Sequence, residues 1–358
     1  MESKEELKEL YARLALFSNA CGTSGNETRV GELLSSELLN FAGDVKTDSM
    51  GNLIATKAGN APRIMIAAHM DEIGLMVQSI DARGFIRFIK TGGWYDPVVL
   101  AQRVVLHGSK GDVIGVIGSK PPHAMQDDEK KRAVDASSMF IDMGAGTKDD
   151  VLKCGINIGT SITIERELSY LGGSEYLVTG KCLDNRVGVI EMIEVMKRLK
   201  DTNLEISAVG TCQEEVGCKG GGVSGFRVNP DLAIVLDTTA AGGNPGMGSA
   251  ITPLKIGEGP AIVIADKEGR GFIAPMHMVE RIKKIAEENK IKYQLQVSSF
   301  GTTDASEIQL SQSGILTVAI KNPARYIHSP VEVADLRDME SAIRLVVALI
   351  GDIEKNGL

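Results

Sequence analysis

The chain has 358 residues, 43% of them apolar and 24% charged, with a formal charge of -8. That length exceeds one ordinary domain and buries a large core, and the composition argues against disorder. The negative balance, with no dense Lys/Arg patch to offset it, argues against nucleic acid as a partner. No apolar run reaches the roughly 20 residues of a membrane-spanning helix. The opening Met1-Glu2-Ser3-Lys4-Glu5-Glu6 is charged rather than basic and then apolar, so the expectation is a cytoplasmic protein without membrane contact. The five cysteines, Cys21, Cys154, Cys182, Cys212 and Cys218, are odd in number and scattered. They read as small buried hydrophobes rather than a disulfide framework.

In chain order, residues 3–18 carry Leu7, Leu10, Leu14 and Leu16 at helical spacing. Thr23-Ser24-Gly25-Asn26 interrupts, and a second helix is predicted over 27–39. Strands follow at 52–57 and 63–68, the latter nearly all apolar and so buried on both faces. From 74 to 170 the texture changes to short β-rich runs, 75–80, 85–89, 103–107 and 113–117, between Gly-containing turns. This reads as an inserted all-β, barrel-like domain, with 119–135 as an exposed loop. Beyond 170, helices at 186–200, 276–289, 304–313 and 335–354 alternate with strands at 204–210, 232–237, 293–298 and 315–320. The predicted fold is α/β, a mixed sheet flanked by helices. Its catalytic domain is discontinuous, 1–73 with 171–358, around the insertion at 74–170.

With five histidines, each can be weighed. His69 ends the buried strand in His69-Met70-Asp71-Glu72, and His and Asp two apart on an extended chain share a face. Asp71 can then accept a hydrogen bond from the far imidazole nitrogen, which orients a ligand histidine. His328 lies in Arg325-Tyr326-Ile327-His328-Ser329-Pro330, where the proline stops regular structure. His107, His123 and His277 have no acidic neighbour at a useful spacing. Glu214-Glu215 follows an apolar strand, and adjacent carboxylates at such a mouth repel unless a cation relieves them. Asp184 precedes a helix and reads locally as an N-cap, while Asp237 ends a strand. His69, Glu214-Glu215 and Asp237 all fall just past the carboxyl ends of core strands, where ligands of open α/β sheets collect. The donors are nitrogen and oxygen without sulfur, a set for Zn²⁺, Co²⁺ or Mn²⁺, and numerous enough for two ions sharing a bridge. Local sequence leaves open which of Glu214 and Glu215 is a ligand and which a base.

Taken in order, several segments resemble the tetrahedral (TET), or glutamyl-aminopeptidase, family of dinuclear metallopeptidases. They are Ala67–Gly74, Leu183-Asp184-Asn185-Arg186, Gln213-Glu214-Glu215-Val216-Gly217, Asp237-Thr238-Thr239, Gly259-Pro260-Ala261, Thr303-Asp304-Ala305 and Arg325–Pro330. The resemblance implies that His69 and Asp237 bind one metal, Glu215 and His328 the other, and that Asp184 bridges both. It makes Glu214 the catalytic base, Asp71 the residue that orients His69, and Thr303, Asp304 and Arg325 candidates for substrate binding. The cofactors would be two divalent ions per subunit, zinc or cobalt. The reaction would be water attack on the first peptide bond of substrates with a free N-terminus. The partners would be copies of the chain, dimers assembling into a dodecamer through the β-domain, and the Asp184–Asn185 peptide would be cis. Two departures from the family pattern are Thr302, where a second glycine often precedes Thr-Asp-Ala, and Gln309, where a histidine is common. The competing readings are an N-deacylase on the same metal scaffold, a metal-free glycoside hydrolase, and a degenerate scaffold stripped of ligands.

Overall fold

The computed structural model describes residues 4–358; the start of the charged opening, Met1 to Ser3, lies outside the described residues. Helices α1 (Lys4–Asn19) and α2 (Thr28–Leu38) lead into β1 (Asp44–Thr47), β2 (Leu53–Lys57) and β3 (Asn60–His69). The next six strands are β4 (Gly74–Ile80), β5 (Ile86–Thr91), β6 (Arg103–Gly108), β7 (Gly111–Gly118), β8 (Phe140–Asp142) and β9 (Ser161–Ile164). Short helices α3 (Asp96–Val99), α4 (Asp127–Lys130) and α5 (Lys148–Lys153) lie between them. Then come β10 (Ser169–Tyr170), β11 (Leu177–Gly180), α6 (Leu183–Arg198), β12 (Leu204–Thr211), α7 (Lys219–Val228) and β13 (Leu232–Ala240). The chain closes with β14 (Ala261–Ala265), α8 (Met276–Glu288), β15 (Gln294–Val297), α9 (Ala305–Ile308), β16 (Leu316–Ala324), β17 (Glu332–Asp335) and α10 (Leu336–Asn356).

The predicted mixed α/β sheet forms with eight strands, in the order β1-β2-β12-β3-β13-β16-β14-β15. Its centre, β12, β3, β13 and β16, is parallel. These strands are buried on both faces, which is why Ile64–Ala68 and Leu232–Leu236 are unbroken apolar runs. Register sets the height of the polar ends. His69 pairs with Thr211, Ala67 with Val235, and Asp237 with Lys321, so one edge of the sheet gathers His69, Asp237 and Lys321.

Strands β4 to β9 close into a barrel in the order β4-β5-β8-β7-β6-β9. Closure leaves no free strand edge. The barrel has its own core, including Leu75, Ile86, Val104, Leu106, Ile141 and Ile162, separate from the cluster under the large sheet. The indole of Trp94 donates to the Gly74 carbonyl at 2.9 Å and pins the first strand. The chain leaves the sheet for the barrel directly after His69, so the barrel stands beside that edge.

Two local expectations are corrected, and one small sheet was not predicted. The stretch 119–135 is exposed but not structureless: it holds a 3₁₀ turn at Pro122–Ala124 and α4, closed by a capping box between Gln126 and Glu129. The helix expected over 304–313 stops at Ile308. There the Ser311 hydroxyl bonds back to main-chain carbonyls of Glu307 and Gly222, and Gln312 turns to φ 56°. The short sheet β10-β11-β17 was not legible, because strands of two to four residues carry almost no periodicity.

Candidate active site

His69 is buried at the end of β3. Its Nδ1 lies 3.1 Å from the Asp71 main-chain carbonyl and 3.5 Å from the Asp71 carboxylate. A carbonyl only accepts, so Nδ1 carries a proton, and Nε2 is the nitrogen turned to the site. The nearer partner is thus the backbone of Asp71, where the carboxylate was expected. That carboxylate is spent elsewhere: it accepts the Ser24 hydroxyl at 2.6 Å and the amides of Glu214 and Glu215 at 2.9 and 3.1 Å. It anchors the loop that carries both glutamates.

Around His69 Nε2 stand Asp184 Oδ1 at 3.2 Å, Asp237 Oδ1 at 3.5 Å and Glu214 Oε2 at 3.9 Å. His328, at the end of the segment after β16, faces Glu215 Oε2 at 3.2 Å and Asp184 Oδ2 at 3.6 Å. The two oxygens of Asp184 therefore point to different histidines. Two groups result, His69/Asp184/Asp237 and Asp184/Glu215/His328, each with one donor atom per residue within 4.8 Å of the others. Asp184 belongs to both. The local reading of Asp184 as a helix cap gives way here: Asp184 and Asn185 are non-helical, and the peptide between them is cis. The Asn185 amide holds this turn to the sheet by donating to the Leu236 carbonyl at 2.9 Å.

Glu214 and Glu215 are separated by position. Glu215 reaches His328, whereas Glu214 Oε1 accepts the Cys218 thiol at 3.2 Å and its other oxygen lies beyond hydrogen-bond reach of His69. The electrostatics fit a missing positive charge. Burial lowers the affinity of His69 for a proton, yet Glu214, Asp184 and Asp237 together drive its pKa well above the usual imidazole range. Burial likewise opposes protonation of His328, but Glu215 and Asp184 push it up to about 10. Burial, reinforced by Asp237, Asp304 and Glu215, raises Glu214 well above the ordinary carboxyl range. Glu215 Oε1 is buried without a hydrogen-bond partner. Such crowding is costly without a cation, and the nitrogen–oxygen donor set suits divalent metal.

These groups line a cavity of about 560 Å³ with Cys218, Gln296, Phe300, Gly301, Thr302, Lys321 and Ile327 among its walls. The candidates Thr303, Asp304 and Arg325 do not line it. Asp304 is buried behind the site, where it accepts the Thr211 hydroxyl; it presses against Gly221 of α7, where a Cβ would come within 2.5 Å of Oδ1. Several residues of the site had not been singled out from sequence. Glu332 accepts the main-chain amides of both Asp184 and His328 at 2.9 Å, so one carboxylate ties the two loops together. Lys321 is paired with Asp266 at 2.8 Å in the interior. Outside the site, His107 does have an acidic partner, Asp112 at 2.9 Å. The five-residue spacing hid a cross-strand pair of the β6–β7 hairpin.

A parallel-centred α/β sheet with an acidic, histidine-bearing edge and a barrel beside it defines a peptide hydrolase of the aminopeptidase type, as comparison with known proteins shows. Residues 51–345 match the M42 glutamyl aminopeptidase family, and the chain belongs to that family. It is 33% identical to the lysyl aminopeptidase of Pyrococcus furiosus, over 93% of this chain and 94% of that protein. Its fold matches aminopeptidase APDkam598 of Desulfurococcus kamchatkensis with a TM-score of 0.91 at 38% identity, covering 96% of this chain and 95% of that one. It also matches the Pyrococcus horikoshii TET1 peptidase, which can assemble into a tetrahedron or a large octahedral shell. There the TM-score is 0.85 at 33% identity, covering 95% and 98% of the two chains.

Proposed function

We propose that the chain is a dinuclear metal-dependent aminopeptidase that releases N-terminal residues from peptides. The observation that carries this reading is Asp184, whose two oxygens face His69 and His328 respectively. His69 and Asp237 would hold one divalent ion, Glu215 and His328 the second, and Asp184 both; zinc or cobalt suits these donors. Such ions, when bound, supply the positive charge that makes water acidic near neutrality and polarises a carbonyl.

The protein's own part is proton traffic and positioning. Glu214 stands at the cavity wall with one oxygen held by Cys218 and the other turned to the cluster. It takes the proton of the water that attacks the first peptide carbonyl, then delivers it to the leaving amine. Asp71 and Glu332 hold the loops bearing Glu214, Glu215, Asp184 and His328 at fixed spacing. The substrate's free α-amino group would be held at the acidic cluster, which favours exopeptidase action.

Glu214→Gln keeps the size of the side chain and removes the base. Metal content by elemental analysis should stay at the wild-type level while hydrolysis of aminoacyl-p-nitroanilides falls by about 10²-fold or more. Near wild-type turnover by this variant would sink the assignment. For assembly, the TET1 neighbour supports a reading in which dimers build a tetrahedral dodecamer through the β4–β9 barrel, acting as an assembly domain over 74–170. No helix among the described residues is long and apolar enough to cross a membrane. Independently of that, we propose that the chain acts on peptides in the cytoplasm, without nucleic acid or membrane as partners.

A further inference from the structure

Toward the β15 edge of the sheet the cavity wall changes character. Lys321, on β16 beside Asp237, is buried and donates to Asp266 Oδ2 at 2.8 Å, while Asp237 Oδ2 lies at 3.9 Å, beyond hydrogen-bond reach. An ammonium has three donors, so two remain unspent among the described residues. Gln296, on β15, is 5% exposed, and its Nε2 donates to the other Asp266 oxygen at 3.1 Å. A carboxylate only accepts, which settles which end of this amide is nitrogen. Its Oε1 is therefore the end without a partner, and it is buried. Thr302, the residue that departs from the family's double glycine, contributes a second buried and unpartnered atom, Oγ1. Lys321, Gln296 and Thr302 all line the cavity that holds the histidines. Both atoms lie just behind the cavity surface, so a ligand reaches them by small rotations of the Gln296 and Thr302 side chains. Buried polar groups are rarely left unpaired, and a ligand with both donors and an acceptor would satisfy this wall.

We infer that this wall is the pocket for the substrate's N-terminal side chain, and that it selects a carboxamide, glutamine before the shorter asparagine. The inference rests on the aminopeptidase reading above. A carboxamide oxygen accepts from Lys321, and its NH₂ donates to Gln296 Oε1 and to Thr302 Oγ1. A lysine or arginine side chain would set a second cation beside Lys321. A carboxylate side chain has no donor for Gln296 and meets a lysine whose charge Asp266 already balances. An aliphatic side chain leaves Gln296 and Thr302 unpaired.

The test is kcat/KM of the metal-loaded enzyme on glutaminyl-, asparaginyl-, glutamyl-, lysyl- and leucyl-p-nitroanilide. Glutamine should lead the other classes by about tenfold. In Gln296→Met, and independently in Thr302→Ala, the glutamine-to-leucine ratio should fall by about tenfold. Asparagine, leucine, glutamate or lysine leading on the wild-type enzyme, or a ratio unmoved in either variant, overturns the inference while leaving the aminopeptidase reading intact. Hydrolysis of none of the five overturns both.

Discussion

Cys218 shows what one side chain does at this site. Its backbone is left-handed, φ 52°, which turns the Sγ back onto Glu214 Oε1. Burial raises its thiol above the ordinary range, so it stays protonated and donates. That bond fixes one carboxylate oxygen and leaves the other for proton transfer. Cys218→Val should lower kcat about three- to tenfold with KM little changed, and Cys218→Ser, which keeps a donor, should restore it. Steady-state kinetics on one aminoacyl substrate distinguishes the two. Among cysteines read from sequence as small buried hydrophobes, nothing marked this one, since the Glu214 contact depends on the left-handed turn. The adjacent glutamates were also equivalent in sequence. The loop anchored by Asp71 is what turns Glu215 to His328 and Glu214 away from it.

At the scale of elements, helix α10 is tied to the sheet through its first turn. Asp338 accepts the main-chain amides of Gly257 and Gly259 at 2.6 and 2.7 Å, holding the loop that leads into β14. Burial, joined by Asp335, raises the Asp338 carboxyl from 3.8 to about 7. A folded-state pKa above the unfolded one means that folding takes up a proton. The stabilisation is full below the unfolded pKa and is lost as pH rises through the folded one, so this group makes stability fall between pH of about 4 and 7. Asp338→Asn should flatten that slope relative to wild type, measured by urea midpoints across this window. An equal slope in both proteins would remove the assignment. The helix itself was legible from its periodicity. The loop it captures was not, because Gly257 and Gly259 lie about eighty residues before their acceptor.

Over the whole molecule, two cores fold side by side, and polar contacts such as Arg29 with Asp112 at 2.9 Å join α2 to the barrel. The barrel's outer face carries Ile114 and Val116, alternate residues of β7 that are 44% and 48% exposed. If the barrel is the assembly element, charges there should prevent association, since interface cores exclude them. The double variant Ile114→Glu, Val116→Glu should shift the particle to a smaller species by multi-angle light scattering. An unchanged mass would move the interface elsewhere.

Sequence by itself determined the apolar strands, the long helices, the mixed α/β class and the change of texture near residue 74. These depend on local periodicity and burial, which a chain carries in its own order of residues. It also marked His69, Asp237 and the glutamate pair, because residues at strand ends share an edge in any such sheet. Only the tertiary structure decided that Asp184 faces two histidines, that Glu332 ties their loops, and that Lys321, Gln296 and Thr302 share one wall. Those relations join segments up to more than a hundred positions apart, and register and packing, not spacing, bring them within a few ångströms.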